Sequence, residues 1–130
     1  MGLFSNFFGK SNEAPESNSA LPWIPFVNDA QLDEIDKKSK ENPVLIFKHS
    51  TRCGISRSVL RRFESDYTEA EPQLEYYFLD ILANRALSDA IANRYRVVHE
   101  SPQLLVIQSG KVIYNVSHHD IQFSALKQLS

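Results

Sequence analysis

Val44-Leu45-Ile46-Phe47 is an unbroken apolar run, closed by Lys48-His49-Ser50 and followed three residues on by Cys53. A stretch of strand length without polar alternation belongs inside a sheet, covered on both faces. The remaining elements of this 130-residue chain must therefore wrap both sides of that strand. The length is enough for one domain with a real core.

The flanking sequence supplies those elements. Pro22 and Pro25 hold an extended path on which Trp23, Ile24, Phe26 and Val27 serve as apolar anchors. Asp29 is placed to cap a helix over Ala30 to Lys40, with Leu32 and Ile35 facing inward. After Cys53, Ile55, Val59, Leu60 and Phe63 recur at helical spacing from Gly54 to about Thr68. Arg57, Arg61, Arg62 and Glu64 take much of the remaining surface. "QLEYYFLDI" reads as a second buried strand. A third helix starts at Asn84 or Ser88 and runs through Tyr95, with Leu87, Ile91 and Tyr95 on one face. "LLVIQSGKVIYNVS" is two β-rich runs joined at Ser109-Gly110, a short-hairpin signal. Asp120 is placed to cap a last helix ending at Leu129.

The order α-β-α-β-α-β-β-α calls for parallel pairing wherever helices separate strands, and for an antiparallel hairpin at the end. This is a thioredoxin-like α/β plan: a central mixed sheet, parallel strands plus a C-terminal antiparallel hairpin, with helices on both faces. The domain spans residues 21–130. Residues 1–20 lie outside it, as an apolar turn (Leu3, Phe4, Phe7, Phe8) and a polar linker, Ser11 to Ala20.

Bulk properties exclude several classes. With 42% hydrophobic and 23% charged residues and a net charge of -2, nucleic acid is not expected as a partner. No apolar run approaches the ~20 residues of a membrane span, and two apolar turns bury too little for stable anchoring. One cysteine excludes an intrachain disulfide framework, a CxxC zinc site and a dithiol pair. It agrees with a reducing, cytoplasmic setting. His118-His119 lacks a third ligand, so no metal is expected.

Cys53 stands where a buried strand gives way to a helix. Unpaired N–H groups and the positive end of the helix dipole favour an anion there, and with it the nucleophilic thiolate. Arg52 and Arg57 can add positive potential; of Lys48 and His49, strand alternation lets at most one lean toward the thiol. Ser56, one helical turn on, holds the place that a resolving cysteine takes in dithiol oxidoreductases. It can hydrogen-bond the thiolate or satisfy first-turn amides, but it cannot resolve a mixed disulfide. Any chemistry at Cys53 is therefore monothiol: attack, mixed disulfide, release by an external thiol. By its place in the chain order, Ser101-Pro102 is expected to be a cis bond beside the active cysteine. It would offer the Ser101 peptide group to an extended substrate. His99 is read as a loop or rim residue rather than a base.

"FKHSTRCGIS", "HESPQ" and the "SGKVIYNVSHHDI" hairpin together resemble the monothiol bacilliredoxins of the thioredoxin/glutaredoxin superfamily, over roughly Leu21 to Ser130. The resemblance implies removal of bacillithiol, a low-molecular-weight thiol, from protein mixed disulfides. It implies no bound cofactor, with bacillithiol as co-substrate. Its partners are bacillithiolated proteins, small thiols and a reducing redox protein. By the same resemblance Cys53 is the nucleophile, Ser56 the non-resolving position and Pro102 the cis-proline, with Arg52, Gly54 and Ser101 at the substrate. Gly54 stands where many relatives have proline, which should leave that turn looser. Two alternatives remain: a monothiol glutaredoxin using another small thiol or an Fe–S cluster, from whose Cys-Gly-Phe-Ser Ile55 departs, and a non-catalytic adaptor.

Overall fold

The computed structural model describes residues 21–67 and 74–129. The N-terminal turn and linker lie outside the described residues, and the second helix ends at Ser65, with Asp66 as its cap, short of the expected Thr68. Five strands and three α-helices follow in the order β1 (Trp23–Pro25), α1 (Ala30–Lys38), β2 (Val44–His49), α2 (Gly54–Ser65), β3 (Glu75–Asp80), α3 (Arg85–Tyr95), β4 (Gln103–Gln108) and β5 (Lys111–Ser117). The sheet order is β1-β3-β2-β4-β5, so the apolar run Val44–Phe47 is central, with every residue of β2 buried. The extended Trp23–Pro25 path is a true edge strand, parallel to β3.

Alternation along β2 divides the core. Leu45 and Phe47 face Val59, Leu60 and Phe63 of α2, together with Phe123 and Leu126. Val44 and Ile46 face Leu32 and Ile35 of α1 and Leu87, Ile91 and Tyr95 of α3. Helices thus cover both faces, burying the two apolar sets that β2 presents.

The parallel-pairing expectation holds for β1, β3 and β2 but fails for β4, which is antiparallel to β2. The cause is where the chain re-enters the sheet. α3 ends on Arg96 in the left-handed conformation (φ 58°), and the following loop brings Gln103 opposite Lys48, at the edge where β2 ends. Ser109 (φ 53°) and Gly110 (φ 75°) then form the tight turn to β5, the geometry of a type I′ hairpin. Their N–H groups bond to the Ser39 carbonyl and hydroxyl, tying the turn to the end of α1.

Four local expectations are corrected. Asp29 precedes α1 without a side-chain cap; Gln31 instead accepts from the Val27 and Asn28 N–H groups. The last helix is not α. A 3-10 turn at His118–Asp120 contains Asp120, and a 3-10 segment spans Phe123–Leu129. Arg62 draws on the His119 and Ile121 carbonyls, which a continuous α-helix would need for itself. Arg62 is exposed, as its helix face was expected to be, and braces this segment as well. Glu64 is not on the surface: it is buried and accepts the Trp23 Nε1–H at 2.7 Å. Ile55 is 43% exposed.

No helix among the described residues is long and apolar enough to cross a membrane, and no cluster of three or more His, Cys, Asp or Glu there could hold a metal ion.

Candidate active site

Cys53 is the N-cap of α2. Its backbone is extended (φ -103°, ψ 120°), and its Sγ accepts the Ser56 N–H at 3.4 Å. The sulfur thus fills the place that a serine or aspartate oxygen takes at other helix starts. The side chain is half-buried, so the thiol stays in reach of solvent. The Cys53 N–H donates to Ser50 O and its carbonyl accepts from Arg57 N–H, which holds the turn from both ends.

The positions flagged in the sequence take different roles around this sulfur. Arg52 is exposed beside it. Arg57 folds back so that Nη1 donates to the Thr51 carbonyl at 2.9 Å, setting a guanidinium over the turn that leads to the thiol. Gly54 opens α2, and a Cβ there would meet only Arg57 Nη2, at 4.0 Å. Ser56 fits neither sequence reading. Its hydroxyl is fully buried, accepts the Ser50 N–H at 3.0 Å and lies 2.9 Å from His49 Nδ1. It bonds neither the sulfur nor a first-turn amide; only its backbone N–H reaches Sγ.

His49 therefore belongs to the site, which the sequence did not establish. Burial pushes its imidazole below the ordinary histidine range; Asp80 opposes this and Arg57 reinforces it. Burial thus favours the neutral ring. The set is satisfied when Ser56 Oγ donates to Nδ1, which assigns the ring proton to Nε2. Lys48 points the other way, toward the α3 face. Its Nζ lies 2.6 Å from His99 Nδ1 and 2.9 Å from Gln103 Oε1. The available signal was the abrupt change from apolar to basic residues at the end of a buried strand.

The Ser101-Pro102 bond is cis. Continuing the antiparallel register of β2 and β4 by one step sets Pro102 opposite His49, so this loop and the Cys53 turn share one edge of the sheet. The Pro102 carbonyl accepts from His118 N–H, whose residue is left-handed (φ 56°) at the end of β5. Ser101 Oγ is buried and has no hydrogen-bond partner among the described residues.

Comparison with known proteins agrees with this geometry. One solved structure, a protein described by its thioredoxin fold and provisionally as an oxidoreductase, is 32% identical. The match covers 82% of this chain and 91% of that one, with a TM-score of 0.70. A thioredoxin of Malassezia sympodialis (15% identity, 90% and 95% coverage, TM-score 0.65) and a thioredoxin variant of Halobacterium salinarum NRC-1 (21%, 82% and 86%, 0.60) share the fold. A mixed sheet with one half-buried cysteine at the start of α2 and a cis-proline at the same edge defines a thiol redox protein of the thioredoxin superfamily. The profile of the monothiol bacilliredoxin BrxC family matches residues 24–126, and the chain belongs to that family.

Proposed function

We propose that this protein removes bacillithiol from protein mixed disulfides through Cys53, acting as a monothiol thiol-disulfide oxidoreductase. The observation that carries the reading is the Cys53 sulfur at the α2 N-cap, accepting the Ser56 N–H while remaining accessible.

The cycle has two exchanges. The Cys53 thiolate attacks the bacillithiol sulfur of the modified protein; the S–S bond breaks, and the electron pair leaves on the protein's sulfur, which takes a proton from solvent. Cys53 is then joined to bacillithiol. A second thiolate, from free bacillithiol or a reducing redox protein, attacks the bacillithiol sulfur of that adduct and returns Cys53 as thiolate. Ser56 cannot perform this step, because its side chain is an alcohol bound to His49 and Ser50. The external thiol is thus obligatory. The Ser101 peptide group, beside the cis-proline, is the proposed strand-like contact for the substrate backbone.

The test is a rate comparison on one target protein carrying bacillithiol, glutathione or coenzyme A as its mixed disulfide. Faster release of bacillithiol supports the reading. Equal or faster release of another thiol moves the chain to the wider monothiol glutaredoxin-like class. No release of any of them, with a Cys53→Ala protein that still functions in cells, marks a non-catalytic adaptor.

A further inference from the structure

Lys48 is fully buried, yet no carboxylate among the described residues lies in ion-pair contact with it. A buried ammonium without a contacting carboxylate is costly, and such groups persist where they hold something in place. This one holds the cis-proline loop. Its Nζ donates to Gln103 Oε1 at 2.9 Å and to His99 Nδ1 at 2.6 Å. Gln103 extends the grip: Oε1 also accepts the Glu100 N–H, while Nε2 donates to the Val98 carbonyl and to Asn115 Oδ1 on β5. The same His99 nitrogen lies 3.1 Å from Ser88 Oγ on α3. Residues 98, 99, 100 and 103 all trace back to one amine, and Ser101-Pro102 lies between them.

We propose that Lys48 is a positioning residue for exchange at Cys53, whose buried ammonium fixes the loop of residues 98–102 where the substrate backbone docks. This rests on the reading that Cys53 exchanges thiols with a substrate laid along Ser101. The mechanism is preorganisation: a loop already ordered loses less freedom on binding.

The charges around the clamp give it a pH window. Burial lowers the Lys48 amine to about 8, opposed by Asp89 on α3 and Glu100 in the loop. Burial and Lys48 push His99 below its ordinary range; Asp89 and Glu100 oppose this, and Arg85 adds to it. Below the His99 transition, a proton on Nδ1 turns the ring away from the ammonium. Above pH ~8 the amine is neutral, and a neutral donor makes bonds roughly half as strong as a charged one. The clamp is tight between those limits, around neutral pH.

The experiment uses the full chain and its Lys48→Met variant, with two disulfide probes. A peptide bearing bacillithiol on one cysteine needs the loop; 5,5′-dithiobis(2-nitrobenzoate) reads the Cys53 thiol alone. Lys48→Met is expected to slow exchange with the peptide roughly tenfold and to leave the aromatic disulfide within twofold of wild type. An unchanged peptide rate, or equal slowing of both probes, overturns the proposal. Should wild type ignore the bacillithiol peptide but accept its glutathione counterpart, the function reading fails and the comparison is made on the latter. NMR on the unmutated protein covers a variant that does not fold: the amides of residues 98–101 should titrate together with the Lys48 Cε signal. A Lys48 transition that leaves those amides unmoved contradicts the clamp.

Discussion

Ser56 Oγ lies 2.9 Å from His49 Nδ1, with its back to the cysteine one turn earlier. The serine of the Cys-x-x-Ser pattern is thus a core residue of the strand–helix junction, and its contribution to the thiol passes through its backbone N–H. Ser56→Ala should leave the Ser50 N–H and the His49 ring without partners in a buried place. A loss of about 1–3 kcal/mol in urea unfolding is expected, with adduct formation at Cys53 retained. A variant of wild-type stability would show that the pair carries no weight.

Glu64 and Trp23 make a second polar contact, part-buried and across 41 residues of sequence, that pins edge strand β1 to α2. Glu64→Gln keeps an acceptor and should cost little, whereas Glu64→Leu orphans the indole N–H and should cost about 1–3 kcal/mol. Equal melting temperatures for the two variants would contradict this assignment.

Gly54→Pro tests the helix start. Cys53 already has the extended backbone that a residue before proline requires, and the space at Gly54 is open. Proline at the first helical position should stabilise the fold by about 0.4–1 kcal/mol, chiefly by restricting the unfolded chain. Thermal unfolding of the variant checks it; a lowered midpoint would mean that the turn needs glycine.

Stability against pH should carry the mark of Lys48. Its folded pKa, about 8, lies below the 10.5 of the free side chain. Between those values the unfolded chain binds the proton and the folded one does not, so stability rises with pH there and is lowest below 8. The slope for one such group is about 1.4 kcal/mol per pH unit. Lys38 and Tyr95 have raised values and lose stability at higher pH, so the measurement belongs between pH 8 and about 9.5, as the difference between wild type and Lys48→Met. A difference independent of pH would remove the buried ammonium from the account. The same charge that weakens the fold strengthens the loop contacts, a trade familiar at functional sites.

Much of this was legible in the sequence because it is local. The apolar run Val44–Phe47, the inward faces Leu32/Ile35 and Leu87/Ile91/Tyr95, and Ser109-Gly110 each state their structure within a few residues. What escaped depends on partners far along the chain. Ser56 occupies a core position that spacing assigned to Ile55, because His49 satisfies its hydroxyl. Glu64 is buried because Trp23 arrives from β1. The reversal of β4 reflects where α3 returns the chain, and no periodicity encodes that. Around the thiol, Cys53 and the cis-proline were readable from their place in the chain order, whereas the clamp of Lys48, His99 and Gln103 was not.

The central claim is that one sulfur, at the mouth of α2, takes over a small thiol from another protein. Intact-mass measurement of both proteins after mixing with a bacillithiolated target tests this most directly. The account predicts that the target loses one bacillithiol as this protein gains one at Cys53, and that Cys53→Ala gains none. A target that stays modified, with Cys53 unaltered and reduced, would contradict it.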